Sequence, residues 1–216
     1  ALAESVTGGP QVNVIQKQGG NSFSGNMFFN YAGDAFQTEN LSAAQKASGL
    51  TPISLQKLWD INPTFGGPVM RDRVWFFGSF RHQGNRQRIN MFTNANAGDP
   101  TKWTYEPTTK QAIDDGTWKN YSGRLTWQVS PRNKIDGWMN VQYNCQHCIE
   151  GGSRSGLSFT GLIASPEAQS FTQNHPSMLG KVSWSSPVTN RLLLEANLGL
   201  GPYFWWGSEE ENSYDS

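Results

Sequence analysis

The stretch NYSGRLTWQVSPRNKIDGWMNVQY, residues 120–143, decides the fold class of this chain. Apolar or small residues occupy every second position on both sides of a turn that begins at Pro131. The first half alternates Tyr121, Gly123, Leu125, Trp127 and Val129 with Asn120, Ser122, Arg124, Thr126 and Gln128. Alternation with a period of two is typical of β-strands whose faces meet different environments. The stretch therefore predicts an antiparallel hairpin.

The same alternation recurs along the chain, while helical periodicity is nearly absent. It predicts seven strands of about ten residues each, at residues 22–31, 55–66, 73–81, 120–129, 135–143, 177–186 and 191–203. Short turns rich in Pro, Asn, Asp and Gly join the second strand to the third, the fourth to the fifth and the sixth to the seventh. The other connections, residues 32–54, 82–119 and 144–176, are long and polar.

Short turns at one end, long loops at the other and two-faced strands are typical of outer-membrane barrels. A soluble β-sandwich would also alternate, but loops longer than about 12–15 residues are uncommon in compact domains. The predicted strands also exceed the usual five or six residues. The sequence therefore predicts an all-β fold, an antiparallel transmembrane β-barrel segment with about seven strands of a larger barrel.

Composition excludes several other classes of protein. The 216 residues carry no net formal charge, only 16% are charged, and 9 Trp, 12 Phe and 6 Tyr are present. Without a basic block, nucleic-acid binding is not expected, and the aromatic content argues against disorder. We find no catalytic arrangement of Ser, His and Asp and no phosphate loop, so we predict neither enzyme activity nor a cofactor.

Aromatic residues concentrate at the ends of the predicted strands. Such bands are typical of the interfacial girdles of membrane barrels, although aromatics also favour strands in general. One end carries Phe23, Phe65, Trp127 and Trp184, and the other carries Tyr31, Tyr121, Tyr143, Trp205 and Trp206. We predict that these residues form the membrane girdle.

Two motifs resemble those of a known family. Residues 8–25, GGPQVNVIQKQGGNSFSG, resemble the last plug strand and the plug-to-barrel junction of TonB-dependent outer-membrane receptors. Residues 65–80, FGGPVMRDRVWFFGSF, resemble a periplasmic hairpin of the Oar-like receptors, which carry a carboxypeptidase-regulatory-like domain. The junction residues are Gly19, Gly20 and Asn21, and the hairpin residues are Gly66, Gly67, Pro68 and Asp72.

The resemblance implies a 22-stranded barrel in the bacterial outer membrane, filled by a plug and importing an unknown ligand with energy from the TonB complex. Residues 1–20 would end the plug domain and residues 21–216 would form the first part of the barrel. The implied partners are outer-membrane lipid, lipopolysaccharide, the remainder of the same barrel and the TonB complex. The chain is thus expected to be a segment of a longer receptor. The alternative is a truncated, receptor-derived sheet with a structural or partner-binding role.

The pair Cys145 and Cys148 lies in a predicted long loop. Such spacing fits a redox pair, half of a zinc site or a local disulfide. A zinc site needs four ligands, which His147 and His175 would have to complete. In an oxidising extracytoplasmic compartment we predict a loop disulfide.

Charged side chains fall into two further groups. Arg124, Asp136, Lys181 and Glu195 lie on the polar faces of their strands and are candidate lumen charges. The second group consists of Arg81, His82, Arg86 and Arg88, which either bind an anionic ligand or lipopolysaccharide phosphate or form a solvated strand end. The solvated strand end is the favoured interpretation.

Overall fold

The computed structural model of the chain describes residues 16–146, 166–168, 170–202 and 205–209. These residues form one antiparallel sheet with a short helix, α1 (Ala43–Ala47), in the first long connection. Short 3-10 turns cover Asp34–Phe36 and Pro166–Ala168. The strands are β1 (Ser24–Gly33), β2 (Ser54–Met70), β3 (Val74–Asn94), β4 (Pro107–Ser130), β5 (Asn133–Gln146), β6 (Ser170–Thr189), β7 (Leu192–Leu200) and β8 (Trp205–Glu209).

The sheet is an up-and-down meander in which each strand from β1 to β7 pairs with the next. All pairs are antiparallel. The prediction of an all-β antiparallel fold is confirmed, and the arrangement is consistent with a segment of a β-barrel. In the described ranges no helix is long and apolar enough to cross a membrane.

The last strand is interrupted, which the sequence does not predict. The predicted strand 191–203 ends at Leu200, and a further strand, β8, begins at Trp205. Both strands pair with β6, β7 along Gly180–Thr189 and β8 along Ser170–Asn174. The Met178 amide donates to the Pro202 carbonyl at 2.9 Å between the two paired regions. β8 therefore continues β7 along the same edge of β6.

The prediction of a long loop over residues 82–119 is wrong. β3 has 21 residues and β4 has 24, so the two strands continue as a long hairpin and only residues 95–106 join them. Register shifts between Arg88 and Phe92, and again before Asn94, break the period-two pattern in this part. Because a bulge moves a side chain to the other face, alternation is lost in the sequence while the backbone ladder persists.

Register separates the side chains into two faces, since residues paired across antiparallel strands point to the same side. We call one the apolar face; it includes Met27, Phe29, Ile61, Phe65, Phe76, Phe80, Leu125, Met139, Val141, Val182, Leu198 and Leu200. We call the other the polar face; it includes Thr64, Ser79, Arg81, Asn120, Ser122, Arg124, Asp136, Asn140, Lys181, Ser183, Glu195 and Asn197, together with Phe77 and Trp138.

The apolar face is uncovered in the part of the chain that the structure describes. Met27, Leu198 and Leu200 are each about two-thirds exposed. Among the hydrophobic side chains that the structure describes, only Ile89, Ala112 and Cys145 are buried. A sandwich would cover this face with a second sheet, whereas the described strands form a single sheet. An apolar surface of this extent requires an apolar environment or a partner.

Candidate functional site

Residues 16–21 precede β1 and cross the polar face of the sheet; we call them the junction segment. The Arg124 Nη1 atom donates to the Gln16 carbonyl at 2.6 Å. A small cavity of about 270 Å³ lies between this segment and the β3–β5 strands, lined by Gly20, Thr126 and Lys134 among others. The chain therefore enters the sheet from its polar side, at the end that carries the short turns.

Asn21 fastens the junction segment to the β2–β3 turn. Its Oδ1 accepts from the Asp72 backbone amide at 2.9 Å and from the Trp75 indole at 2.7 Å. Its amide nitrogen donates to the Asp72 carboxylate at 2.5 Å. Asp72 has a φ of 63°, a left-handed conformation that Asp and Asn tolerate better than most residues. The structure thus brings Asn21 of the predicted junction and Asp72 of the predicted hairpin motif together.

Glycines of the two motifs allow close contacts that a side chain would block. A Cβ at Gly19 would lie 2.1 Å from the Phe76 carbonyl oxygen, and one at Gly67 would lie 2.2 Å from the Phe23 ring. At Gly20 an added Cβ would meet nothing within 4 Å. Gly19 and Gly67 are therefore required by packing, whereas Gly20 is not.

The remaining hairpin motif residues lie beside this junction. Gly66 is buried opposite Phe77, and Pro68 pairs with Trp75 just before a register shift at the end of β2. A Cβ at Gly66 would lie 2.9 Å from the Phe77 ring. These residues bring the two strands together at the short turn.

The four candidate lumen charges all lie on the polar face. Arg124 and Asp136 form an ion pair, with 3.2 Å between Nη2 and Oδ2, and both side chains are largely buried. Lys181 and Glu195 line the same cavity of about 320 Å³, together with Gln16. The structure therefore places the four charges around the start of the junction segment.

The predicted girdle residues separate into two aromatic groups on the apolar face. At the short-turn end Phe23 stacks on Phe65 with ring centroids 5.8 Å apart, and both contact Phe76. At the same end Trp127 lies opposite Ile135, which pairs in turn with Trp184. The Trp184 indole nitrogen donates to Asn133 at 3.1 Å.

At the loop end, the Tyr121 ring packs edge-on against Tyr143, with ring centroids 6.2 Å apart, and at a tilt against Phe80, with centroids 5.0 Å apart. Tyr31 pairs with Trp59 near the end of β1. The side chains of Trp205 and Trp206 lie outside the described residues. Sequence reasoning omitted Phe76, Phe80 and Trp59. Only Phe80 lies between two polar residues, Ser79 and Arg81, and could have been identified from alternation, whereas Phe76 lies between Trp75 and Phe77.

The predicted group of Arg81, His82, Arg86 and Arg88 does not lie on one face of the sheet. Arg81 lies on the polar face and binds both carboxylate oxygens of Asp60, at 3.0 and 2.6 Å. His82 lies on the apolar face, 3.2 Å from the Thr117 hydroxyl. Arg86 stands opposite the buried Asp115 in the register. These side chains do not form a single anion-binding cluster.

Cys145 is buried and disulfide-bonded. Its predicted partner Cys148 lies outside the described residues, as does His147, so their pairing remains a prediction. Within the described ranges, no group of three or more His, Cys, Asp or Glu residues is arranged to hold a metal ion.

Together, these features define a β-sheet of the barrel-wall type, with one apolar face, one polar face and a segment fastened to the polar side. The chain is similar to the TonB-dependent transporter Oar of Myxococcus xanthus, with 26% identity over 167 residues. The match covers 75% of this chain and 16% of that protein, so the chain spans only a small part of the length of this relative. No protein-family model matches the chain, and no solved structure does.

The similarity supports a relationship to TonB-dependent receptors at a coarse level. The relative is a transporter, which is consistent with the prediction that this chain has no catalytic role.

Proposed function

We propose that this chain forms the early part of the barrel wall of an outer-membrane TonB-dependent receptor of the Oar-like kind. Residues 1–20 then end a plug domain, and residues 21–216 supply the first strands of a larger barrel, for which the resemblance implies 22 strands. The complete barrel takes up a ligand across the outer membrane. The remainder of the barrel and the TonB complex are the partners that such transport requires.

One observation carries this proposal: the junction segment lies on the polar face, opposite the face that would meet lipid. In a membrane barrel the outward side chains are apolar and the interior is polar. A plug occupies the interior, so the chain leaving it must join the first strand from the polar side. The contact between Gln16 and Arg124 and the contacts of Asn21 place residues 16–21 on that side.

The dimensions of the apolar face also fit a membrane. Phe23 and Tyr31 are eight residues apart along the first strand, which corresponds to about 27 Å at about 3.4 Å per residue. With a strand tilt of about 40°, the aromatic groups are about 20 Å apart along the membrane normal, close to the band of about 25 Å in outer-membrane barrels. Each strand then crosses the bilayer once with its aromatic residues at the interfaces, and the outer parts of β3 and β4 extend beyond the membrane.

The polar face then has a mechanical role in the receptor. Arg124 and Asp136 form a wall contact that holds the end of the plug through a backbone carbonyl. The contact consists of one charge-assisted hydrogen bond from Arg124 to the Gln16 carbonyl and the ion pair of Arg124 with Asp136. These two interactions keep residues 16–21 from detaching, yet they can break locally while the sheet stays folded.

Cysteine labelling of intact cells tests the placement. Trp103 is 87% exposed in the loop between β3 and β4, and Arg132 is exposed in the short turn between β4 and β5. In cells expressing the full-length receptor, we expect a membrane-impermeant maleimide to label Trp103→Cys and to label Arg132→Cys only after lysis. Labelling of Arg132→Cys in intact cells, or recovery of the protein without detergent, would contradict the proposal.

A further inference from the structure

Two cavities lie next to each other on the apolar face, toward the loop end of the sheet, and we call the two together the groove. The upper cavity, of about 560 Å³, is lined by Thr117, Lys119, Tyr143 and Asn144. The lower cavity, of about 870 Å³, is an apolar trough. Tyr121 and Val141 line both cavities. We propose that this groove binds one anionic lipid of the outer leaflet, with its phosphate at Lys119 and an acyl chain in the trough.

The upper cavity offers charge for a phosphate. Lys119 is exposed and is the one charged residue among the described side chains that line it. Its cross-strand neighbour is His82, whose ring lies 3.2 Å from the Thr117 hydroxyl. Lys57 lies further along the same face, 5.6 Å from the centre of the Trp59 ring. Because Arg86 stands opposite Asp115, we do not count its charge toward this site.

The trough exists because glycines lie between larger apolar residues on this face. At Gly123 the sheet presents only backbone, and the side chains of Leu125, Met139 and Val182 surround that position. A Cβ at Gly123 would meet nothing within 4 Å. Lys119 and Gly123 are four residues apart on β4, which corresponds to about 13 Å along the strand. Tyr121 lies between them on the same face, so the acyl chain of a lipid whose phosphate meets Lys119 would pass the Tyr121 ring and enter the trough.

The occupant follows from charge and position. Tyr121 and Tyr143 lie at the loop end of the apolar face, where aromatic side chains mark the membrane interface. Lysine at that level meets lipid headgroups, and a basic side chain there favours anionic lipid. This inference rests on the proposed function, because only a sheet embedded in the outer membrane meets lipid on this face.

The test uses native mass spectrometry of the full-length receptor released from detergent micelles, with added dioleoylphosphatidylglycerol. Dioleoylphosphatidylcholine has the same acyl chains and a zwitterionic headgroup, so we expect it to bind more weakly to the unmodified protein. Lys119→Gln should weaken phosphatidylglycerol binding about five-fold and leave phosphatidylcholine unchanged. Lys110→Gln, at an exposed lysine elsewhere on β4, is the matched control.

Gly123→Leu fills the trough and should weaken the binding of both lipids, whereas Ala196→Leu places a leucine elsewhere on the apolar face and should weaken the binding of neither. Equal binding of the two lipids by the unmodified protein, or no effect of Gly123→Leu, would overturn the inference. Full competition by inorganic phosphate would also overturn it, since the site would then hold a free anion. If lipid selectivity is absent while cysteine labelling still places the sheet in the outer membrane, this inference alone fails.

Discussion

Removing the Arg124 side chain should release the junction segment from the wall of the sheet. Arg124→Met keeps much of the length of the side chain but loses the 2.6 Å hydrogen bond to the Gln16 carbonyl and the ion pair with Asp136. A hydrogen bond to a charged group contributes about 1.5–3 kcal/mol. The ion pair adds little beyond this, because Asp136 keeps some contact with water.

A loss of about 2–3 kcal/mol raises the local opening equilibrium of residues 16–21 by about 30- to 160-fold. Hydrogen–deuterium exchange of the full-length receptor in detergent, read on a peptide that covers these residues, measures this opening. Peptides from the middle of β4 and β5 should keep their protection, since their backbone ladder is unchanged.

Two matched variants separate the contributions. Asp136→Asn removes the ion pair and retains the Arg124 bond to Gln16, so it should change exchange by only a few-fold. Arg124→Lys keeps the charge without the planar fork and should give an intermediate effect. If Arg124→Met leaves exchange at residues 16–21 unchanged, or if Asp136→Asn equals it, the guanidinium does not hold the segment and our reasoning is refuted.

Three further predictions concern folding, each measured as the denaturant midpoint of the heat-modifiable folded band in detergent. Gly19→Ala should lower the midpoint because its Cβ would lie 2.1 Å from a backbone carbonyl, whereas Gly20→Ala should be neutral; equal midpoints would contradict this. Leu198→Arg places a charge on the apolar face and should cost about 2–4 kcal/mol at mid-membrane depth, while the adjacent Asn197→Arg on the polar face should be tolerated. Asp72→Ala should lower the free energy of unfolding by about 1–2 kcal/mol because residue 72 has a left-handed φ. Asp72→Gly should be more stable than Asp72→Ala; if it is not, backbone strain is not the cause of the loss.

Much of the sheet can be predicted from alternation because side-chain direction in a strand is a local property. The hairpin of β4 and β5 illustrates this, since Leu125 and Trp127 fall on one face and Arg124 and Thr126 on the other. The outer part of the β3–β4 hairpin could not be predicted in this way. There the register shifts near Phe92 disrupt the pattern, and polar side chains on both faces resemble a loop.

The candidate site divides in the same manner. The junction and hairpin motifs could be recognised from residue types, because the left-handed turn and the close backbone approach restrict which residues fit. The pairing of Asn21 with Asp72 could not, since it joins residues 51 positions apart in the sequence. Arg81 and His82 were grouped because they are adjacent in the sequence. In a strand, adjacent side chains point to opposite faces, so the structure separates them.

By itself, the sequence determined that this chain is all-β, that its strands have one apolar and one polar side, and that short turns gather at one end. These properties depend on the period of the side chains and on local turn chemistry. Only the tertiary structure decided that residues 16–21 lie on the polar face, where Arg124 holds a carbonyl 108 positions away. It also decided that Lys119 and Gly123 line two neighbouring cavities of the apolar face, because cross-strand register sets which distant residues become neighbours.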